Sequence, residues 1–278
     1  MGKITKLLAL GGALYLANGL DNRLEITHYH IRSESLPKAF DGFKIVHISD
    51  FHCDTTPGLV DEIRCENPDI IAITGDMAHD TGSYEPFISL LRRLVKIAPC
   101  FMVSGNHDVW RSDYKTFVAE CRAHGGVFLQ DERQYLCRGD AKIAVSGIED
   151  PFTRDREMIA KHLTKSLKKL NKTNGYDILL FHRANSLDRL KQQGFDLILA
   201  GHMHGGQLRI PGVGGVLSPR SSLGENTSMF FPKYFGGFYD AGETKMIVNR
   251  GIGNPMIIPR FFNRPEIGSI TLESGADA

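Results

Sequence analysis

The chain has 278 residues, 42% of them hydrophobic and 23% charged, with a formal net charge of +1. That length supplies enough apolar surface for a large core, and the near-zero charge gives no electrostatic case for a nucleic-acid partner, which calls for a basic face. The five cysteines (Cys53, Cys65, Cys100, Cys121 and Cys137) are odd in number and form no C-x-x-C, which argues against a disulfide framework and for reduced thiols.

At the N-terminus, Lys3 and Lys6 precede an apolar run over residues 7–20, after which Asp21 and Arg23 restore polarity. The run is shorter than the roughly 20 residues of a spanning helix. It has the basic start and apolar middle of an export signal, without an A-x-A site after it. Residues 1–24 are therefore expected to form a membrane anchor or interfacial helix, with a cleaved signal or an ordinary first helix as alternatives. The lysines favour an N-terminus on the cytoplasmic side of a membrane and leave the membrane face of the rest open.

Residues 26–31 (ITHYHI) alternate like a strand. From Lys44 onward, short apolar runs alternate with helical patterns, the mark of β/α layering. Strands are expected at KIVHIS, DIIAIT, CFMVS, KIAVSG, DILLF and DLILA, then over 246–248 and 267–272. Helices are expected over 59–66, 85–97, 114–124 and 156–170; in the last, Ile159, Leu163, Leu167 and Leu170 recur at helical spacing. Between Ile210 and Gly242 so many Gly, Pro and Ser residues fall that long elements are not expected, while the aromatics of Phe230, Phe231, Tyr234, Phe235, Phe238 and Tyr239 argue against disorder. No linker justifies a second domain, so residues 25–278 read as one domain with its core at 43–273.

Five of these strands stop at hard metal ligands: Asp50 and His52 (ISDFH), Asp76 (ITGDM), Asn106, His107 and Asp108 (SGNHD), His182 (LLFHR), and His202 with His204 (AGHMH). Singly, each is weak, since a strand-end Asp is often a helix cap and a buried His is often a core residue. Together they ask for one crevice at the carboxyl ends of neighbouring strands. Imidazoles and carboxylates without thiolate suit Mn, Fe or Zn. His47, inside an apolar strand, reads as a core histidine. Arg183 and Arg250 could each grip a phosphate or serve as ordinary salt bridges.

The ordered set D-x-H, G-D, G-N-H-D, H and G-H-x-H resembles the calcineurin-like metallophosphoesterases over about residues 43–272. The downstream H-G-G-Q, FFPKYFGGFY, NRGIGNP and NRPEI resemble the bacterial branch of YkuE- and YaeI-like phosphodiesterases. The resemblance implies an α/β fold in which two mixed β-sheets pack as a sandwich flanked by helices. It implies two divalent ions: Asp50, His52 and His204 on the first, Asn106, His182 and His202 on the second, and Asp76 bridging them. It also implies His107 as transition-state stabiliser or acid, with Asp108 orienting its ring. Neutral imidazoles are needed for ligation, so metal affinity is expected to fall below about pH 6.5. The implied activity is hydrolysis of a phosphodiester or pyrophosphate by a metal-activated water. The expected substrate is a phosphorylated small molecule or lipid, met at a membrane. Alternatives are a UDP-2,3-diacylglucosamine pyrophosphatase of lipid A synthesis, a cyclic-nucleotide hydrolase, and a non-catalytic scaffold that kept the fold.

Overall fold

A computed structural model describes residues 3–153, 155–217 and 230–275. The apolar runs pair into two six-stranded mixed sheets. The first sheet runs in the order β1 (Glu25–Ser33), β14 (Glu266–Ser274), β2 (Phe43–Ile48), β3 (Ile70–Thr74), β4 (Cys100–Val103) and β5 (Val127–Phe128). The second runs β12 (Gly237–Ala241), β13 (Thr244–Val248), β9 (Leu197–Gly201), β8 (Asp177–Arg183), β7 (Ala141–Gly147) and β6 (Glu132–Arg138). A small ribbon pairs β10 (Arg209–Ile210) with β11 (Gly214–Gly215). Strands β2 to β5 are parallel, as are β7, β8, β9 and β13, so every strand that ends in a candidate ligand lies in a parallel block.

Side-chain alternation sorts the apolar residues into three layers. Ile45, Ile70, Ala72, Phe101 and Val103 of the first sheet meet Val145, Ile178, Leu180, Leu197 and Leu199 of the second, which forms the sandwich interior. The intervening residues face outward. Val46, Ile71, Ile73 and Met102 are covered by α2 (Leu59–Cys65), α3 (Glu85–Leu94) and α5 (Tyr114–Ala123). Leu179, Phe181 and Ile198 are covered by α6 (Arg156–Lys169) and α7 (Leu187–Leu190). Each such Ile, Leu or Phe contributes about 1.5–3 kcal/mol on burial. Helix, sheet, sheet, helix is the architecture expected from the sequence.

His47 points into the sandwich interior, where Nε2 sits 2.8 Å from Thr74 Oγ1 and burial pushes its pKa down to about 3. It is a core histidine. Helix α3 stops at Leu94, short of the expected 97, because Pro99 disfavours helical backbone just before it and Ile97 closes a turn onto Leu94 O instead. Three edge strands of the two large sheets, the two-residue β5 and the longer β6 and β12, were not foreseen. The latter two mix exposed with partly buried residues at a sheet margin, and β12, five residues long, is a short element in the 210–242 segment, where no long one was expected. Residues 218–229 of that segment lie outside the described residues.

Helix α1 (Lys3–Gly19) stands at the margin of the sandwich. Phe262 N–H donates to Gly19 O (2.6 Å), and the Tyr15 ring lies 4.8 Å from that of Phe262. Leu10, Leu14, Tyr15 and Leu16 are each more than half exposed. No described helix is long and apolar enough to cross a membrane.

Candidate metal centre

The seven candidate ligands converge at the carboxyl ends of the two parallel blocks. Asp50 and His52 follow β2, Asp76 follows β3, Asn106 opens the one-turn α4 (Asn106–Val109) after β4, His182 lies on β8, and His202 and His204 follow β9. Five of them, Asp50, His52, Asp76, His202 and His204, have φ between 47° and 75°. Non-glycine residues in this left-handed region are uncommon and persist where the surroundings hold them. Backbone ties do the holding: Asp50 N–H donates to Gly75 O (2.9 Å), His52 N–H to Asp76 O (2.9 Å), and His202 N–H to Asp50 Oδ2 (3.0 Å). The last bond joins the two sheets.

Two clusters result, each with its ligand atoms within 4.8 Å of one another: Asp50, His52, Asp76 and His204, and Asp76, His182 and His202. Asp76 belongs to both. Its Oδ2 lies 3.2 Å from His182 Nε2 and 3.8 Å from His52 Nε2, while Oδ1 accepts the His107 N–H (2.7 Å). Glycine is required nearby, since a Cβ at Gly105 would overlap Asp76 Oδ1, and one at Gly75 would come within 2.8 Å of His182 Nδ1.

The buried atoms fit divalent cations. Asp50 Oδ1, His52 Nε2, Asn106 Oδ1 and His202 Nε2 are all inaccessible to solvent and have no hydrogen-bond partner in the protein, a costly arrangement unless a cation completes it. Burial pushes His52 and His204 down to about 3, and burial with the neighbouring His182 charge lowers His202, so three of the four imidazoles are neutral and ready to ligate. His182 differs. Burial opposes its charge, but the Asp76 carboxylate overrides burial and lifts it to about 10. Asp76 in turn is held well below the usual carboxylate range: burial works to raise it, and the His182 charge prevails. His182 Nδ1–H donates to Thr74 O (2.7 Å), which aims Nε2 at Asp76.

The chain matches the calcineurin-like phosphoesterase family model over residues 43–206. It is 30% identical over 280 residues to the uncharacterized metallophosphoesterase YkuE of Bacillus subtilis (strain 168), covering 96% of this chain and 92% of that one. The chain belongs to the calcineurin-like phosphoesterases. It is also similar to phosphodiesterase YaeI of Escherichia coli (strain K12), 25% identical with 83% of this chain and 82% of that one covered. Among solved structures, the phosphopantetheinyl hydrolase PptH of Mycobacterium tuberculosis shares the fold, with a TM-score of 0.51 at 10% identity, covering 77% of this chain and 91% of that one. The protein is thus a phosphoric ester hydrolase of a family that uses divalent metals, and its buried Asp and His groups could hold two.

Not every expected contact is made. The Asp108 carboxylate does not orient His107. Its Oδ1 accepts the Ala78 N–H (3.0 Å) and its Oδ2 the Gly105 N–H (2.8 Å), so it ties the loops after β3 and β4 together. Burial, followed by the Asp76 charge, pushes Asp108 up to about 7. The acid beside His107 is Asp80, with Oδ1 3.8 Å from Nδ1. Asp80 follows His79 in GDMAHD; nothing in its spacing distinguished it from an ordinary loop carboxylate. The His52 ring lies 5.0 Å from that of His79 and 5.1 Å from that of His107, so both histidines wall the centre.

Neither arginine candidate is available to grip a phosphate. Arg183 is buried and paired bidentately with Asp150 (2.7 and 2.8 Å), and Arg250 is held by Glu25 (3.1 Å) and Glu266 (3.2 Å). Arg111 donates to Gly82 O (2.9 Å) and pairs with Asp113, which pins the loop bearing His79 and Asp80. The NRGIGNP motif packs directly on the first cluster, since a Cβ at Gly251 would lie 2.8 Å from Asp50 Cβ. Buried Arg260 fixes that loop by donating to Arg250 O (2.9 Å) and Gly253 O (2.6 Å).

Proposed function

We propose that this protein hydrolyses a phosphodiester or pyrophosphate of an amphiphilic substrate at a membrane surface, with two divalent ions that two residue sets sharing Asp76 would hold. The observation that carries the dinuclear reading is the membership of Asp76 in both buried clusters. Asp50, His52 and His204 would hold one ion, and Asn106, His182 and His202 the other. When bound, such ions supply Lewis acidity toward phosphoryl oxygens and lower the pKa of water.

The chain's own groups do the rest. The G-N-H turn, fixed by Asp108 on two backbone N–H groups, sets Asn106 and His107 side by side. His107 turns Nδ1 toward Asp80, which leaves Nε2 to donate a proton to the departing oxygen. The ring walls of His79 and His107 keep the reacting bond close to the ligands and limit water. The name of YaeI supports a phosphodiester. Membrane association is supported by α1, whose exposed Leu10, Leu14, Tyr15 and Leu16 spread around the helix at about 100° per residue. A helix apolar on several sides calls for an environment that surrounds it, and lipid does so where a flat protein face cannot.

The test is hydrolysis of bis-p-nitrophenyl phosphate by the purified protein with Mn, Fe or Zn. Turnover that is lost in Asn106→Ala supports the reading. No turnover with any of the three ions overturns it.

A further inference from the structure

The G-G-Q that follows His204 and the N-R-P-E-I motif touch none of the reacting groups, yet the fold brings them together behind His204. We infer that Asn263 is the positioning residue for the His204 ligand, acting through the backbone where His182 is oriented through its ring. The inference rests on the metal-ligand reading of His204.

His182 and His204 show the contrast. The His182 ring is fixed at Nδ1 by Thr74 O, so Nε2 has one direction to point. His204 Nε2 lies 3.5 Å from Asp50 Oδ1, but its Nδ1 is buried with no hydrogen-bond partner. The ring stacks on that of His52 at 5.3 Å, but no hydrogen bond at Nδ1 fixes it. Its backbone must, and that backbone is left-handed over four residues, strained at the two that are not glycine: His204, Gly205, Gly206 and Gln207 have φ of 47°, 61°, 76° and 45° in succession. Such a run holds only if it is tied from outside.

Asn263 makes the tie. Its side chain is fully buried, and its Nδ2–H2 donates to His204 O (2.7 Å) and Gln207 O (3.2 Å), thereby clamping both ends of the strained turn. The carboxamide occupies the space a side chain would need at Gly205, where a Cβ would come within 2.8 Å of Asn263 Cγ. Gln207, also fully buried, anchors the far side through Nε2 to Asn254 Oδ1 (2.9 Å). The Asn263 and Gln207 amide oxygens find no protein partner, so both amides are placed for their N–H groups.

The experiment is Mn²⁺ titration calorimetry on the full chain, comparing wild type, Asn263→Asp, Asn263→Ser and His204→Ala. Melting of each metal-free protein checks the fold. Asn263→Asp keeps the shape and removes the donors, while its added negative charge by itself would tighten cation binding. The expected result is a loss of about 10–100-fold in affinity for one ion, as for other residues that orient metal ligands, with the second ion unchanged. His204→Ala should weaken the same ion, and Asn263→Ser, which keeps one donor, should fall between. Two wild-type affinities in Asn263→Asp, or equal losses at both ions, would overturn the inference. A wild-type protein that takes up only one ion would overturn the dinuclear reading and the inference with it.

Discussion

The Asp76 carboxylate oxygen Oδ2 lies 3.2 Å from His182 Nε2, and the two form a buried charged pair. His182 is thereby lifted to about 10, above the 6.5 of an unperturbed imidazole. Being raised in the folded state, it contributes stability that is fully present below about pH 6.5 and is lost as pH rises through about 10. Ligation needs the neutral ring, so the ion taken by Asp76, His182 and His202 must displace this proton. Its affinity is predicted to rise about tenfold per pH unit across the neutral range, with one proton released per ion. Calorimetry in buffers of different ionisation enthalpy measures that number, and zero protons at pH 7 would contradict the prediction. The sequence-based expectation of a fall below about pH 6.5 treated four histidines alike. His52 and His204, pushed down to about 3, take no part in it.

His107→Ala should lower kcat about 10²–10⁴-fold, the usual value of a positioned acid, with metal content unchanged. The deficit should be largest for poor leaving groups and should vanish toward p-nitrophenolate, which needs no proton. Asp80→Asn should show the same leaving-group pattern at smaller size. A deficit independent of the leaving group would remove His107 from the acid role.

Asp150→Ala leaves the Arg183 guanidinium buried without its carboxylate. The expected cost is about 3–5 kcal/mol in chemical denaturation. The double variant Asp150→Leu/Arg183→Met should recover much of that loss, since an apolar pair of similar volume carries no desolvation penalty. If the double variant is as unstable as the single one, the pair is not the source.

Leu14→Glu with Leu16→Glu should release the protein from anionic vesicles in a sedimentation assay. Turnover of a soluble diester should be untouched. Equal sedimentation of wild type and variant would sink membrane association through α1.

Gly105→Ala places a methyl group where Asp76 Oδ1 stands. The predicted outcome is loss of both ions with the secondary structure retained, read by metal analysis and circular dichroism. Full metal content would mean the turn can yield, contrary to the close contact seen.

The strands that hold the centre were legible because buried parallel strands read as continuous apolar runs, and each ran straight into its ligand. The roles of neighbours were less legible. Asp108 sits beside His107 in sequence, yet a helical turn sends adjacent side chains in different directions, so its carboxylate faces backbone, and the carboxylate near the His107 ring is that of Asp80, 3.8 Å from Nδ1. Arg183 adjoins His182 on a strand, where successive side chains point to opposite faces; its neighbour meets Asp76 while it meets Asp150. Edge strands β6 and β12 were missed because half of their residues face solvent and their apolar signal is diluted.

The hydrogen bond from His202 N–H to Asp50 Oδ2 crosses from one sheet to the other, and the first cluster likewise draws Asp50, His52 and Asp76 from one sheet and His204 from the other. The ligands are therefore gauges of how the two halves of the sandwich are seated. A methylene removed from the shared interior, at Val103 or Leu180 for instance, would let the sheets settle and change ligand spacing at a distance. Metal affinity should thus report on repacking deep in the core, and variants selected for tighter binding need not touch the centre at all.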